Sequence, residues 1–211
     1  MKVSALRENA SVVDARSPAH PVAPLFVRRW SPRAFDASVM ALADLKTMLE
    51  AARWAPSAYN IQPWRFVYAL RNDACWASWL RLLDPFNAAW ARSASALVFL
   101  VSDRLAPSRD GAPRKPSATH RFDAGAAWAQ LALQATAMGY QAHAMAGIRV
   151  DDVRRVLDVP EHYAVHIGIA IGRPASPATL PPALREREVP SPRLPLERIA
   201  AAGRFSADLL A

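Results

Sequence analysis

Hydrophobic positions three and four residues apart predict three helices. Residues 39–53 carry one such stripe, which is typical of an amphipathic helix packed on a core. Residues 151–159 predict a further short helix before Pro160. Residues 122–138 are apolar on nearly every side and stop at Gly139, a residue type that often ends helices. We therefore expect this third helix to be buried, either in the core of one subunit or between two subunits.

Short runs rich in β-branched and aromatic residues predict three strands, at 64–70, 96–102 and 165–172. The chain after Gly172 is different, because it is rich in proline and carries too few apolar residues for a core of its own. We expect this tail either to extend into solvent or to wrap another surface.

Length and composition favour one domain. The 211 residues are 52% hydrophobic, which is enough for one sizeable core. No window approaches the ~20 uninterrupted apolar residues of a membrane helix, and the N-terminal residues lack the apolar centre of a signal peptide. We therefore expect a cytoplasmic protein without a membrane partner. Cys75, the only cysteine, cannot form an internal disulfide.

The formal net charge of +8 would suit a nucleic-acid-binding module, so the placement of the basic residues matters. The densest stretch, 103–121, mixes Arg and Lys with Pro, Ser and Gly instead of aromatic residues that could stack on bases. We interpret it as a solvated, mobile loop and expect no nucleic-acid partner. The charge favours instead an anionic ligand such as a phosphate.

Motifs for several common chemistries are absent from the sequence. The seven glycines form neither GxGxxG nor GxxxxGK[ST], and there is no HExxH or GxSxG. His162 and His166 are four residues apart, but the predicted strand begins between them, so we expect no metal site. Cys75 has no nearby histidine to activate it. Such a protein can take its reactivity from a cofactor.

Two segments carry the strongest signal. RRWSPRAF at 28–35 supplies forked donors that suit a phosphate and a polyol chain, and the rigid, polar APSAYNIQPW at 55–64 lies between a predicted helix and a strand. Together they resemble the FMN-dependent nitroreductase family, whose members show R-x-S-x-R-x-F and then A-x-x-A-P-S-x-x-N-x-Q-P-W-x-F. The resemblance extends over roughly residues 20–200.

The resemblance implies an α+β fold with a mostly antiparallel central sheet flanked by helices. It also implies an intertwined homodimer with two FMN sites at the interface. Residues 1–20 would form an N-terminal extension and residues 21–211 a single FMN-binding domain, whose tail at 173–211 wraps the partner. The residues that the resemblance assigns to the cofactor are Arg29, Trp30, Ser31, Arg33, Pro56, Ser57, Ala58, Asn60, Asn87, Trp90, Met145, Ala146, Gly147 and Arg193.

By this resemblance Arg29 and Arg193 bind the phosphate, and Ser31 contacts the ribityl chain. Arg33 lies near flavin N1 and O2, where a cation stabilises the negative charge of the reduced ring. The segment at 55–64 contacts the flavin of the other subunit.

The resemblance also implies that Asn87 hydrogen-bonds the flavin or its ribityl chain, and that the backbone of Ala146 and Gly147 holds flavin N5. The sequence departs from the family at two positions. Some members carry a lysine where Trp90 stands, and Ser191 replaces a common basic phosphate contact.

The implied activity is reduction of nitroaromatic, quinone or related acceptors by NADH or NADPH, with ping-pong hydride transfer through flavin N5. No side chain stands out as a general acid, so protons would come from solvent. Two alternatives remain open: an FMN enzyme specialised for a metabolite such as an enal, a semialdehyde or a peptide-derived ring, and a flavin-binding protein without turnover.

Overall fold

The computed structural model describes residues 16–108, 111–205 and 209. Within these residues the α-helices are α1 (Pro24–Arg28), α2 (Leu42–Arg53), α3 (Trp76–Leu80), α4 (Pro85–Ala91), α5 (His120–Ala137), α6 (Val150–Val156) and α7 (Pro182–Arg185). The strands are β1 (Trp64–Leu70), β2 (Ala96–Asp103), β3 (Gln141–Met145) and β4 (Tyr163–Gly172). Single turns of 3₁₀-helix lie at Ala58–Asn60, Pro177–Thr179 and Leu196–Arg198.

The four strands form one sheet in the order β1-β2-β4-β3, and every neighbouring pair is antiparallel. This confirms the predicted α+β fold with an antiparallel sheet flanked by helices. The three predicted strands are present, and β3 is an addition. Its sequence, QAHAM, contains no β-branched or aromatic-hydrocarbon residue, so it carried no strand signal.

Both faces of the sheet are covered, because all eight residues of β2 are buried. On one face Val98 and Leu100 pack with residues of α2 and α5, such as Met48 and Leu131. On the other face Phe99 packs with side chains from α3, α6 and α7. The alternation along β2 places successive side chains in these two cores.

Helix α5 runs close to the predicted 122–138 and is followed by Gly139 in the left-handed conformation, at φ +78°. One side of α5 is buried, as expected. The opposite side is exposed and carries small or apolar residues, including Phe122 at 83% exposure. The expectation of a helix buried on all sides therefore does not hold within a single subunit.

The other helices differ from the predictions mainly at their ends. Helix α2 starts three residues later than the predicted 39–53, and α6 ends at Val156, before the predicted 159. Helices α1, α3, α4 and α7 were not predicted. Each has at most seven residues, which is too few for a periodic stripe to stand out.

The first part of the tail packs on its own chain. Pro174 bridges to Phe35, and Leu180 and Leu184 are buried in the core on the α3 side of the sheet. Beyond this part large apolar side chains are exposed, among them Ile199 and Phe205. Wrapping of a partner by the tail remains a prediction, and its residues 206–208, 210 and 211 lie outside the described part of the chain.

The basic segment 103–121 has local order in its described residues. Leu105 bridges to Pro116, and Arg114 pairs with Asp103 and donates to the carbonyl oxygen of Leu105. These contacts fold the segment back along the end of β2. Among the described residues, no helix is long and apolar enough to cross a lipid bilayer.

Candidate active site

The arginine motif at 28–35 is held by side chains from β3. The Oε1 atom of Gln141 accepts a hydrogen bond from the backbone nitrogen of Trp30 at 3.3 Å, and its amide donates to the carbonyl oxygen of Arg28 at 3.4 Å. Thr136 of α5 donates to the same Oε1 at 3.1 Å. Gln141 is buried, so these bonds fix the motif against the sheet. No local pattern in the sequence marks Gln141 as a site residue.

A buried carboxylate from the tail holds the next part of the motif. One oxygen of Glu188 accepts hydrogen bonds from the backbone nitrogens of Arg33 and Ala34, at 2.6 and 2.7 Å. Charge-assisted bonds of this kind are stronger than neutral ones. Glu188 thus couples the tail to the motif within one subunit, another contact that the sequence did not reveal.

Three arginines lie close together, namely Arg29 of the motif itself, Arg16 and Arg193. Burial and then the positive charge of Arg193 lower the pKa of Arg29. Burial, Arg193 and Arg29 in turn lower the pKa of Arg16. No carboxylate of the described residues contributes to either shift, so within them the positive charge of Arg16 and Arg29 is not compensated. Such a group of guanidinium forks suits a phosphate.

Hydrogen bonds show how this arginine cluster is assembled. Arg16 donates to the carbonyl oxygens of Val27, Arg29 and Ser191, at 3.1, 2.8 and 3.0 Å. Arg193 donates to the carbonyl oxygen of Ser191 at 3.2 Å. The arrangement brings the predicted phosphate ligands together from the two ends of the chain. Arg16 lies in the segment that the resemblance did not cover.

A cavity of about 440 Å³ adjoins this cluster. Its lining includes Arg29 and Ser31, whose side chains are joined by a hydrogen bond of 3.3 Å, and the α5 residues Trp128 and Leu133. The wall therefore combines a cation and a hydroxyl with apolar side chains, as the phosphate end and ribityl chain of a flavin require.

The side chain of Arg33 has a hydrogen-bond donor that is not used by the described residues. Its Nε atom is buried and has no hydrogen-bond partner within residues 16–108, 111–205 and 209, and one oxygen of Glu188 is also buried without a partner there. Burial and then Arg187 lower the pKa of Arg33, while Glu188 raises it. An unpaired buried donor on a charged group is costly in free energy, so it indicates a ligand that would accept the bond.

His143 lies beneath the motif, next to Trp90. Its Nδ1 donates to the carbonyl oxygen of Pro32 at 2.9 Å, which leaves Nε2 without a proton in the neutral ring. Burial, and then Arg33 and Arg29, lower the pKa of His143 to about 4 against the effect of this bond. The ring centres of His143 and Trp90 are 4.6 Å apart.

Trp90 is buried, and its indole nitrogen has no hydrogen-bond partner among the described residues. Its place under the motif is compatible with the predicted position at the flavin pyrimidine edge, although the side chain itself presents little surface. A direct contact with the cofactor remains a prediction.

The start of α4 and the turn after β3 form a second part of the site. The side chain of Asn87 donates to the carbonyl oxygen of Gly147 at 3.1 Å, and the backbone nitrogen of Asp84 donates to the same oxygen at 3.1 Å. The Asp84 carboxylate caps α4 by accepting from the backbone nitrogen of Asn87 at 2.7 Å. Asn87 and Gly147, predicted separately, are therefore direct neighbours.

A side chain at position 147 would require Asp84 and Asn87 to move. A Cβ there would lie 1.9 Å from a carboxylate oxygen of Asp84 and 2.6 Å from the Asn87 amide nitrogen. The preceding Ala146 is exposed and Met145 is buried, so the turn presents backbone at the surface while remaining anchored in the core.

The segment at 55–64 forms a tight turn with unusual backbone angles. Tyr59, Asn60 and Gln62 all have positive φ, between 50° and 54°, a region that side chains other than glycine rarely adopt. Ser57 accepts a hydrogen bond from the backbone nitrogen of Gln62, which holds the turn. Tyr59 is 90% exposed. Strained backbone of this kind is often found at ligand-binding sites.

This turn does not lie beside the arginine motif of its own subunit. The backbone nitrogen of Ala58 contacts Asp123 at the start of α5, whereas Arg29 and Ser31 line the cavity beside Trp128 and Leu133. At ~1.5 Å per residue, these points are about 8–15 Å apart along α5. The structure therefore separates the predicted cofactor residues into two groups.

One group contains the arginine motif, Trp90, Asn87, the turn at Met145–Gly147 and Arg193. The other contains Pro56, Ser57, Ala58 and Asn60. Among the described residues, no group of three or more His, Cys, Asp or Glu side chains could hold a metal ion.

Comparison with known proteins identifies the class. The model of the Nitroreductase family matches residues 27–173, which is more than half of the chain. The protein therefore belongs to the nitroreductase family, and the prediction of an oxidoreductase of this family is confirmed.

Individual relatives agree with this assignment. A crystal structure described as an oxidoreductase containing FMN is 51% identical, with a TM-score of 0.88 over 90% of this chain and 96% of that one. The CLA biosynthesis enone reductase of Lactiplantibacillus plantarum is 31% identical, over 73% of this chain and 86% of its own length. The NADH dehydrogenase of Thermus thermophilus is 29% identical, over 89% of this chain and 95% of its own.

Proposed function

We propose that the protein is an FMN oxidoreductase that takes hydride from NADH or NADPH and passes it to a nitroaromatic, quinone or related acceptor. The observation that carries this proposal is the cluster of Arg16, Arg29 and Arg193, in which neighbouring arginines lower the pKa of Arg16 and Arg29 and no carboxylate among the described residues opposes the shift. The similar structure described as containing FMN and the relative named NADH dehydrogenase support the cofactor and the donor.

The side chains of the first group would hold the cofactor. Arg29 and Arg193 would bind the phosphate, with Arg16 adding charge and positioning the backbone of both segments. Ser31 would contact the ribityl chain, and Arg33 would lie at the pyrimidine edge. The unpaired Nε of Arg33 fits this role, because a carbonyl oxygen or ring nitrogen would satisfy it.

When bound, FMN supplies the hydride chemistry at its N5 atom. The protein contributes position and charge. The turn at Ala146 and Gly147 presents backbone at its surface, and Asn87 and Asp84 hold that turn through the carbonyl oxygen of Gly147. Arg33 would favour the reduced state by offsetting its negative charge.

The second group would complete the site in a homodimer. The turn at 55–64 is exposed, conformationally strained and about 8–15 Å along α5 from the arginine motif, so it is available to a partner subunit. The exposed small and apolar side of α5 and the exposed apolar residues of the tail would be covered in the same assembly.

Steady-state kinetics test this proposal. If donor and acceptor use the same flavin face in turn, double-reciprocal plots at several acceptor concentrations will give parallel lines. A panel of a nitroaromatic, a quinone, an enone and an enal separates a broad reductase from one specialised for a metabolite. Lines that intersect would contradict the ping-pong order, and FMN binding without NAD(P)H oxidation would favour a flavin-binding protein without turnover.

A further inference from the structure

A buried serine joins two histidines at the end of the sheet, away from the arginine motif. The Oγ atom of Ser102 lies 2.7 Å from Nδ1 of His120 and 2.6 Å from Nε2 of His166. Ser102 is completely buried. A serine hydroxyl can donate one hydrogen bond and accept another, so this single oxygen links the two imidazoles.

The sheet is irregular at this point, and the irregularity aims one of the histidines. Leu100 pairs with Ile167 and Val101 pairs with Val165, so His166 is an extra residue in β4. Such a β-bulge redirects a side chain, and bulges are frequent next to active sites. Here the bulge brings the His166 ring onto the face where α5 begins.

The Ser102 hydroxyl and the two imidazoles can pass a proton along while all three stay neutral. Ser102 has one proton, so it donates to one ring while the other ring donates to it. Burial lowers the pKa of both histidines, that of His166 to about 4 with further effects of His120 and Arg121. Arg121 and Arg104 lower the pKa of His120 further, against smaller effects of Asp103 and Asp123. Burial and these positive charges therefore favour the neutral form of both rings.

The hydrogen-bonded row of His166, Ser102 and His120 ends at a cavity of about 530 Å³. The outer ring nitrogen of His120, Nε2, has no hydrogen-bond partner in the described part of the protein, and the ring borders the cavity. The cavity-lining residues are Arg104, Leu105, Pro116, Ser117, His120, Glu161 and His162. The basic segment 103–121 therefore forms one wall of this cavity.

The cavity lies at the same end of α5 as the strained turn at 55–64. His120 is the first residue of α5, and Asp123, which contacts the backbone of Ala58, is less than one helical turn further on. Under the proposed function this turn covers the flavin of the partner subunit. The cavity would then lie beside that flavin, where an acceptor must bind.

We propose that Ser102, His120 and His166 form a proton relay that serves an acceptor in this cavity, and that the acceptor is a conjugated carbonyl compound. The proposal rests on the proposed function. Hydride reaching the β-carbon of such a compound moves the electrons of its C=C bond towards the carbonyl and leaves negative charge on the oxygen. His120 donates its Nε2 proton to that oxygen.

The remaining proton transfers leave His120, Ser102 and His166 neutral. As His120 loses the proton at Nε2, it accepts the Ser102 proton at Nδ1, and Ser102 accepts the Nε2 proton of His166. His166, which is partly exposed, takes a proton from water at Nδ1. One proton enters and one leaves, so both rings end in the other tautomer. The reverse shift through Ser102, with His120 taking a proton from water at Nε2 and His166 releasing one at Nδ1, resets them before the next turnover. The enol product converts to the saturated carbonyl compound in water. His120 is the proton donor, while Ser102 and His166 act through it.

The test uses the FMN-loaded enzyme with NADH and two acceptors. Reduction of a conjugated enone requires a proton, whereas ferricyanide accepts one electron and no proton. Ser102→Ala breaks the relay, so we expect about a hundredfold lower kcat with the enone, the low end of the effect of general acid catalysis, and an unchanged rate with ferricyanide. Ser95→Ala is the matched control, because Ser95 is equally buried but its hydroxyl has no hydrogen-bond partner in the described parts of the chain.

An equal loss with both acceptors, or no loss with the enone, would overturn the relay while leaving the FMN oxidoreductase intact. Nitrogen-15 NMR of the histidine rings tests the relay without turnover. We expect neutral His120 and His166 at pH 7 and a changed tautomer population in Ser102→Ala. A charged ring at pH 7 would contradict the relay, even if the protein proved to have no oxidoreductase activity.

Discussion

The carboxylate of Glu188 lies 2.6 Å from the backbone nitrogen of Arg33, although 155 residues separate them in the chain. The same oxygen binds the backbone nitrogen of Ala34. The tail thereby fixes the backbone that carries the arginine predicted to tune the flavin. The conformation of the site and the packing of the tail are coupled within one subunit.

Removing this carboxylate should weaken both stability and the cofactor site. In Glu188→Ala two buried N–H groups lose their acceptor, so we expect a loss of about 2–4 kcal/mol in the free energy of unfolding, from ~1–3 kcal/mol per unsatisfied group. Urea unfolding measures the loss. Glu186→Ala, an exposed change in the same segment, should leave stability within about 0.5 kcal/mol. Equal stability of the two variants would contradict the anchoring role.

Tail truncations separate this anchor from the predicted dimer contacts. Ending the chain after Arg187 removes Glu188, and we expect lower stability, weaker dimerisation and weaker FMN binding. Ending it after Val189 keeps Glu188 and should keep the stability of the subunit, while Arg193 and the exposed apolar residues beyond it are lost. If sedimentation shows that both truncated chains remain dimeric, the tail does not hold the partner.

The arginine cluster predicts selective loss of affinity for phosphate. Arg29→Ala and Arg193→Ala should each weaken FMN binding by about tenfold to hundredfold, because a charge-assisted bond contributes about 1.5–3 kcal/mol. Riboflavin lacks the phosphate, so its Kd should change little. Fluorescence titration with both flavins gives the ratio, and Arg204→Ala in the exposed tail is the control. If the affinities for FMN and for riboflavin fell by the same factor, the phosphate would have to bind elsewhere.

Much of this site could be predicted from the sequence. Arg29, Ser31 and Arg33 lie within one short motif, and the turn at 55–64 has a distinctive pattern of Pro, Asn, Gln and Trp. Both signals are local in the chain. The central strands were also predictable, because burial on both faces requires continuous apolar runs such as β2.

Other parts depend on contacts that local patterns do not encode. Gln141, Glu188 and Arg16 reach the site from distant segments, and each is an ordinary polar residue in its own neighbourhood. The relay around Ser102 requires a bulge that only the pairing of β2 with β4 reveals. Strand β3 was missed because pairing with β4, and not its composition, makes it a strand.

The turn at Gly147 predicts a measurable coupling with Asp84. Gly147→Ala should destabilise the protein by about 1–3 kcal/mol, the usual cost of overpacking, because its Cβ would overlap the carboxylate. In an Asp84→Ala background, part of that clash is absent, so the same change should cost less. A double-mutant cycle by urea unfolding measures this coupling. Strictly additive effects would contradict the close contact.

Burial of His143 predicts that stability depends on pH. Its pKa of about 4 in the folded protein is lower than the ~6.5 expected in the unfolded chain, so the unfolded state binds the proton first as pH falls. Stability should be full above pH ~6.5 and fall towards pH ~4, with His143 contributing up to about 3 kcal/mol of the decrease.

His143→Gln should reduce this pH dependence, whereas His20→Gln, at an exposed position, should not. Urea midpoints at a series of pH values between 4 and 7 provide the comparison. The slope is compared instead of the absolute stability, because the glutamine also changes packing against Trp90. An unaltered slope in His143→Gln would show that other groups control the decrease.

The absorbance spectrum of the purified protein tests the central proposal most directly. We expect the yellow spectrum of an oxidised flavin, either as purified or after addition of FMN, with one FMN bound per subunit. Adding NADH or NADPH without oxygen should bleach it. A protein that stays colourless after FMN is added and excess flavin is removed would contradict the assignment of Arg29, Arg33 and Arg193 to an FMN site.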